Sequence, residues 1–285
     1  MTDLRKPAWL LKRVAPNASI RDVRTLLRQQ SLHTVCESAM CPNLGECFSR
    51  RTATFLILGD TCTRNCGYCA VTTGRPGALD TEEPERVAEA AANLQLRHVV
   101  VTSVTRDDLP DGGAAHFART ITALKRALPS SVIEVLIPDF RGSETALGTV
   151  IDAEPDVLNH NVETVPSLFK SVRPQGSYAR SIELLSRARR AMTHGYVKSG
   201  LMVGLGETED EVMQVMRDLR GVGCDIFTAG QYLRPSKAHL EVKEYWPPDK
   251  FERLKKYGES IGFVLVAAAP YVRSSYMADQ LEMIR

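Results

Sequence analysis

The chain has 285 residues, 44% of them apolar and 25% charged, with a formal net charge of +2. That is the balance of a soluble enzyme large enough to bury a substantial core without disulfide staples. Near-neutral charge without aromatic–basic stripes argues against nucleic acid, and no apolar run approaches the roughly 18 residues needed to span a bilayer.

In chain order, residues 1–30 come first, with seven basic side chains against the acids Asp3 and Asp22. A solvated basic face is the plain reading. Docking of an acidic protein partner is the sharper one, and an organelle transit segment, also Arg-rich and acid-poor, is a third. Residues 1–52 have loop-and-helix character and carry Cys36, Cys41 and Cys47, spaced C-x4-C-x5-C. A strand over 53–58 then leads directly into Cys62, Cys66 and Cys69, spaced C-x3-C-x2-C. Six of the seven cysteines thus fall within 34 residues. The N-terminus lacks the apolar core of a secretory signal. A reducing, cytoplasmic-type compartment is therefore expected, where clustered cysteines read as metal ligands and not disulfides. A closed zinc site wants four ligands, whereas an iron–sulfur cube can be held by three cysteines with one iron left over. A zinc knuckle completed by a distant His or Cys is the bland alternative, but no fourth ligand lies at zinc-finger spacing.

Beyond the second triplet, strands are expected at 98–103, 132–137, 157–161, 197–205 and 225–233, with 263–269 as a seventh. Helices are expected between them at 81–96, 114–128, 144–151, 177–192, 207–219 and 249–261, the last begun by Pro248 and Asp249. Such alternation implies right-handed βαβ crossovers and a parallel sheet. The expected fold is α/β, a partial parallel (β/α)6 TIM-like barrel over 53–262. An N-terminal extension (1–52) and a C-terminal segment (263–285) would cap the barrel mouth. Asp60, Ser103, Asn161, Gly204 and Gln231 sit at strand ends, the rim where barrels place chemistry. Cys224, alone at the start of a strand, reads as a buried inert thiol. His160 and His194 lack ligand spacing and read as satisfied structural imidazoles.

The loop CTRNCGYC resembles the radical S-adenosylmethionine superfamily, and the wider sequence resembles the lipoyl synthase family within it. The likeness covers nearly the whole chain: KPAWL at 6–10, CESAMCPNLGEC at 36–47, TSVTRDDLPDGG at 102–113, NHNVET at 159–164, VRP at 172–174, GLMVGLGET at 200–208 and RSSY at 273–276. The resemblance implies two 4Fe–4S clusters and S-adenosylmethionine. Cys62, Cys66 and Cys69 would hold the radical-generating cluster, with Tyr68 as a flat face beside it. Cys36, Cys41 and Cys47 would hold an auxiliary, sulfur-donating cluster. Its fourth ligand would be Ser275, with Ser274 as the neighbour it is most easily confused with; serinate is a harder ligand than thiolate, suited to a cluster that opens. Asn161 and Glu163 would bind ribose hydroxyls, Thr102 and Ser103 the methionine end, and Arg173 the methionine carboxylate. Gly204 and Gly206 would let backbone approach adenine.

The activity implied is insertion of two sulfur atoms at C6 and C8 of an octanoyl group. That group would be carried by a lipoyl carrier domain, of a 2-oxoacid dehydrogenase E2 or a glycine cleavage H protein, with ferredoxin or flavodoxin as reductant. Two other classes compete. One is a biotin-synthase-like sulfur inserter acting on a free small molecule. The other is a non-enzymatic iron–sulfur carrier or zinc-dependent nucleic-acid module.

Overall fold

The computed structural model describes residues 4–11, 18–39, 41, 43–49 and 54–275. After a single turn at Ala8–Leu10, the N-terminal extension forms α1 (Ala18–Gln29), β1 (His33–Thr34), α2 (Val35–Ser38) and α3 (Leu44–Ser49). Then come β2 (Thr54–Ile57), the small ladder of β3 (Thr61–Cys62) with β4 (Thr72–Thr73), α4 (Glu83–Asn93), β5 (His98–Ser103), α5 (Ala114–Ala127) and β6 (Val132–Leu136). The chain continues through α6 (Glu144–Ile151), β7 (Val157–Asn159), the one-turn α7 (Phe169–Val172), α8 (Tyr178–Ala191) and β8 (Tyr196–Val203). It ends with α9 (Glu209–Gly221), β9 (Ile226–Gln231), α10 (Pro248–Ser260) and β10 (Leu265–Ala268). Every expected strand and helix is present within a few residues of its expected bounds.

The large sheet runs β1-β2-β5-β6-β7-β8-β9-β10. All its neighbours pair in parallel except β1 with β2. Among the described residues no pairing joins β1 to β10. Helix starts follow local chemistry: Ser143 and Ser177 cap α6 and α8, and Thr208 forms a capping box with Glu211 at α9, satisfying otherwise orphaned N–H groups. No helix among the described residues is long and apolar enough to cross a membrane.

Strand residues alternate faces. Val99, Val101, Ile133, Val135, Leu158 and Phe227 pack under the helices against Phe117, Ile121, Leu124 and Leu185. The other face lines the lumen. Its lowest layer is apolar, formed by Val132, Val157 and Ile226 with Tyr196 and Leu265. Above it lies a buried polar layer in which Glu134 Oε1 accepts from Lys198 Nζ at 2.8 Å and from Asn159 Nδ2 at 3.2 Å, while His98 Nε2 lies 3.2 Å from Glu134 Oε2. Burial pushes the Glu134 carboxyl up, but the Lys198 ammonium and His98 outweigh it and hold the group at about 2.

Beyond β10 the chain turns back across the lumen-facing side. Gln231 N donates to Pro270 O (3.2 Å), Asn43 Nδ2 to Tyr271 O (2.7 Å) and Lys198 Nζ to Ser274 O (2.5 Å). The C-terminal segment therefore reaches past the rim to residues inside the lumen. Gly230 makes this course available, because a β-carbon there would overlap the Val272 carbonyl oxygen. Gly230→Ala is expected to lower unfolding stability by about 1–3 kcal/mol and open the chain beyond residue 269 to protease. An unchanged denaturation midpoint and cleavage pattern would contradict this packing.

Candidate functional site

The C-x3-C-x2-C loop leaves the end of β2 and is fastened from several sides. Cys62 Sγ accepts from the backbone N–H groups of Arg64 (3.4 Å) and Thr105 (3.3 Å). The buried Arg64 guanidinium clamps Asp107 through two bonds of 2.7 and 2.8 Å and reaches Asp139 at 2.7 Å; Arg180 takes the other Asp139 oxygen at 3.1 Å. Burial pushes the Asp139 carboxyl up, but Arg64 overrides this and holds it far below the usual carboxylate range. Gly67 N donates to Val172 O and Gly67 O accepts from Leu240 N, both at 3.0 Å, while His239 Nε2 lies 3.1 Å from Cys69 O. A β-carbon at Gly67 would come within 2.9 Å of Leu240 Cγ. Glycine here makes room for Leu240.

Above the loop, Glu163 adopts φ +70°, a conformation rare for a non-glycine residue and often found at functional sites. It pairs with Leu201 in an isolated bridge. Its carboxylate accepts from Asn161 Nδ2 at 3.1 Å and from the Tyr68 hydroxyl, so Tyr68 is turned inward. Burial raises the Glu163 carboxyl against the opposing pull of Arg173. Arg173, itself buried, donates from Nη1 to Asn161 O at 2.8 Å. Thr102 Oγ1 is satisfied by Leu136 O at 2.9 Å. Ser103 Oγ, Asn161 Oδ1 and Arg173 Nε, by contrast, are buried with no partner among the described residues. Unpartnered buried polar atoms are costly. A polar ligand bearing carboxylate, ammonium and ribose hydroxyls, as S-adenosylmethionine does, fits this set.

The first triplet meets the C-terminal segment. Cys36 is buried and hydrogen-bonded to Thr54, whose hydroxyl donates to Ser275 Oγ at 2.7 Å across 221 residues of sequence. Arg273 lies beside Cys41, its charge disfavoured by burial. Ser274 points elsewhere, its hydroxyl 2.5 Å from Asn161 Nδ2. Ser275 is thus the serine facing the first triplet. Asn161 touches both Glu163 and Ser274, so the two halves of the site adjoin through one side chain. Burial pushes the Cys36 thiol up to about 11 and Cys69 to about 12. These thiols stay protonated at neutral pH until metal displaces the proton. Among the described residues no three His, Cys, Asp or Glu side chains converge on a single metal-ion position; a cube presents separate irons to its thiolates and asks for no such convergence.

The remaining sequence readings divide. His160 bonds Ile137 O and Ser181 Oγ, both at 2.9 Å, and Cys224 is fully buried with Sγ on backbone carbonyls. His194 is exposed beside Thr193. All three fit structural roles. At Gly204 a β-carbon would overlap the Gln231 amide and Glu244 O, and Glu207 accepts from Gly204 N and Leu205 N. The protein's own groups therefore make the close approach that the sequence suggested for adenine. Sequence reasoning missed Thr54, Glu134 and Lys198. The available signal was a lone charge inside each of two otherwise apolar strands. Tyr276, the end of RSSY, lies outside the described residues.

Residues 56–219 match the model of the radical SAM superfamily. The chain is 58% identical over 276 residues to a lipoyl synthase of Caldanaerobacter subterraneus subsp. tengcongensis, covering 97% of this chain and 96% of the relative. The chain belongs to the lipoyl synthase family. Identity to the lipoyl synthase of Caldicellulosiruptor saccharolyticus is 55% over 284 residues, the full length of both. The solved methylornithine synthase superposes with TM-score 0.55 at 14% identity, covering 87% of this chain and 81% of the other, and shares the fold alone. For a lipoyl synthase family member, full-length likeness leaves the free-small-molecule and non-enzymatic alternatives without support.

His160 provides a pH test of the scaffold. Burial lowers its pKa from 6.5 to about 4, so between those values the unfolded chain binds more protons than the folded one. Stability therefore falls as pH drops from about 6.5 to about 4, by up to about 3 kcal/mol. His160→Gln should show a shallower slope in urea unfolding across that window; an identical slope would place the proton elsewhere.

Proposed function

We propose that Cys62, Cys66 and Cys69 hold the radical-generating cluster of this lipoyl synthase family member, and that Cys36, Cys41, Cys47 and Ser275 hold the sulfur-donating one. The family reaction inserts two sulfur atoms at C6 and C8 of a protein-bound octanoyl group, using S-adenosylmethionine and two 4Fe–4S clusters. The observation that carries the residue assignment is Thr54, which is hydrogen-bonded to Cys36 and whose hydroxyl donates to Ser275 Oγ. When bound, the first cluster with S-adenosylmethionine supplies a carbon radical able to take hydrogen from unactivated carbon, and the second supplies sulfur.

The chain's own residues position and shield. Arg64, tied between Asp107 and Asp139, keeps the second triplet's loop in one shape. Arg173 offers its free Nε to the methionine carboxylate, a charge-assisted contact. Asn161 Oδ1 and Glu163 receive the ribose hydroxyls, and Ser103 takes the methionine end, with Thr102 shaping the strand beneath it. Tyr68, held on Glu163, closes the side of the loop. Because Asn161 also holds Ser274, cosubstrate and auxiliary ligand are referred to the same side chain. Such close placement of reacting centres out of water is the protein's main contribution to rate.

The N-terminal extension through residue 52 and the C-terminal segment from residue 263 serve as the carriers of the auxiliary ligands on the barrel. The octanoyl group arrives on a lipoyl carrier domain, of a 2-oxoacid dehydrogenase E2 or a glycine cleavage H protein. Ferredoxin or flavodoxin supplies electrons, in a cytoplasmic setting.

Cys62→Ala, Cys66→Ala or Cys69→Ala should abolish formation of 5′-deoxyadenosine, and a normal yield would remove that triplet from radical generation. Cys36→Ala, Cys41→Ala or Cys47→Ala should leave 5′-deoxyadenosine detectable while lipoyl formation falls to background. Ser275→Ala should match the second group, measured by mass spectrometry of an octanoylated carrier peptide. Wild-type lipoyl formation by Ser275→Ala would refute its place as ligand.

A further inference from the structure

We propose that Lys198 is a positioning residue for Ser275: anchored on Glu134 inside the lumen, its ammonium grips the Ser274 carbonyl oxygen and sets how far the next hydroxyl reaches towards Thr54 and Cys36. The inference rests on Ser275 being a ligand of the first-triplet cluster. Lys198 is nearly fully buried on β8, and none of the chemistry above uses it. Of its three donors, one goes to Glu134 Oε1 at 2.8 Å and one to Ser274 O at 2.5 Å. Glu134 is itself held by Asn159 and His98, so the grip is referred to β5, β6, β7 and β8 together.

Upstream bonds hold Pro270 and Tyr271, but the last bonds before Ser275 are those of Ser274 to Lys198 and Asn161. This matters because of side-chain length. A long side chain tolerates some backbone drift, whereas a serine hydroxyl stands one bond from Cβ, so its reach follows its backbone. A buried charge pair reaching from the barrel wall to the preceding carbonyl removes that drift.

The competing role is neutralisation of Glu134 for the sake of the fold alone. Lys198→Met by itself would strand a buried carboxylate, so the test uses Lys198→Met combined with Glu134→Gln, which removes both charges and keeps an amide for Asn159 and His98. Amide hydrogen exchange of the reconstituted full chain is the first readout, and electron paramagnetic resonance of its reduced clusters the second. In the double variant, amides of 271–275 should exchange at least about tenfold faster while those of β5–β8 keep their protection. The first-triplet cluster signal should shift to that of Ser275→Ala, with the Cys62/Cys66/Cys69 signal unchanged.

Lipoyl formation should fall at least about tenfold while 5′-deoxyadenosine formation holds. Unchanged exchange in 271–275, or an unchanged first-triplet signal, would overturn the proposal. Faster exchange throughout β5–β8 would overturn it too, by assigning Lys198 to the fold. Ser275→Ala run in parallel separates the two failures. If Ser275→Ala is inactive and the double variant behaves as wild type, only the role of Lys198 falls. If Ser275→Ala forms lipoyl groups normally, the ligand assignment falls and takes this proposal with it.

Discussion

Thr54 Oγ1 stands between the Cys36 thiol and the Ser275 hydroxyl, and that junction dictates the course of both ends of the chain. Cys36 follows β1, which pairs antiparallel with β2, so the N-terminal extension is stitched to the same strand that begins with Thr54. Ser275 reaches that strand only because the chain after β10 turns inward across the lumen. Glycine at position 230, the Asn43 amide and the Lys198 ammonium each remove an obstacle or add a hold along that path. None of these residues is near another in sequence.

The two faces of the sheet are therefore built for different purposes. Under the helices the side chains are aliphatic and aromatic and close-packed, and burial of that area stabilises the fold. In the lumen the lowest layer is apolar. Above it a charged pair stands inside a medium that disfavours charge. Breaking such a pair by removing one partner costs about 3–5 kcal/mol, and the Glu134 carboxylate is kept ionised by its partners. The polar layer gives the C-terminal segment hydrogen bonds it cannot find in water once buried.

The cysteine loop depends on a comparable arrangement outside the lumen. Arg64 lies between Asp107 and Asp139, and those acids belong to the loops after β5 and β6. The strand-end motif TSVTRDDLPDGG is thus partly scaffold: Asp107 steadies the cysteine loop, and Arg106 spans Leu58 O, Gly77 O and Asp108. Near that loop Ser103 Oγ, Asn161 Oδ1 and Arg173 Nε are among the buried polar atoms left without a partner among the described residues.

Periodicity alone determined the alternation of strands and helices, the parallel sheet and the partial barrel, because those follow from local spacing of apolar side chains. Cysteine spacing marked both triplets, and the family resemblance of RSSY pointed to one of two adjacent serines as the proposed fourth ligand. Which of the two faces the first triplet could not be read from the chain, since they are adjacent and chemically identical and only their surroundings distinguish them. The tertiary structure turns Ser275 to Thr54 and Ser274 to Asn161. It also shows Gly204 approached closely by the protein's own Gln231 and Glu244, because a glycine announces that space is needed without saying what fills it. Lys198 and Glu134 acquire their meaning in the same way. A charge within an apolar strand is visible in the sequence, but its partner lies 64 residues away, and only the folded chain brings the two together.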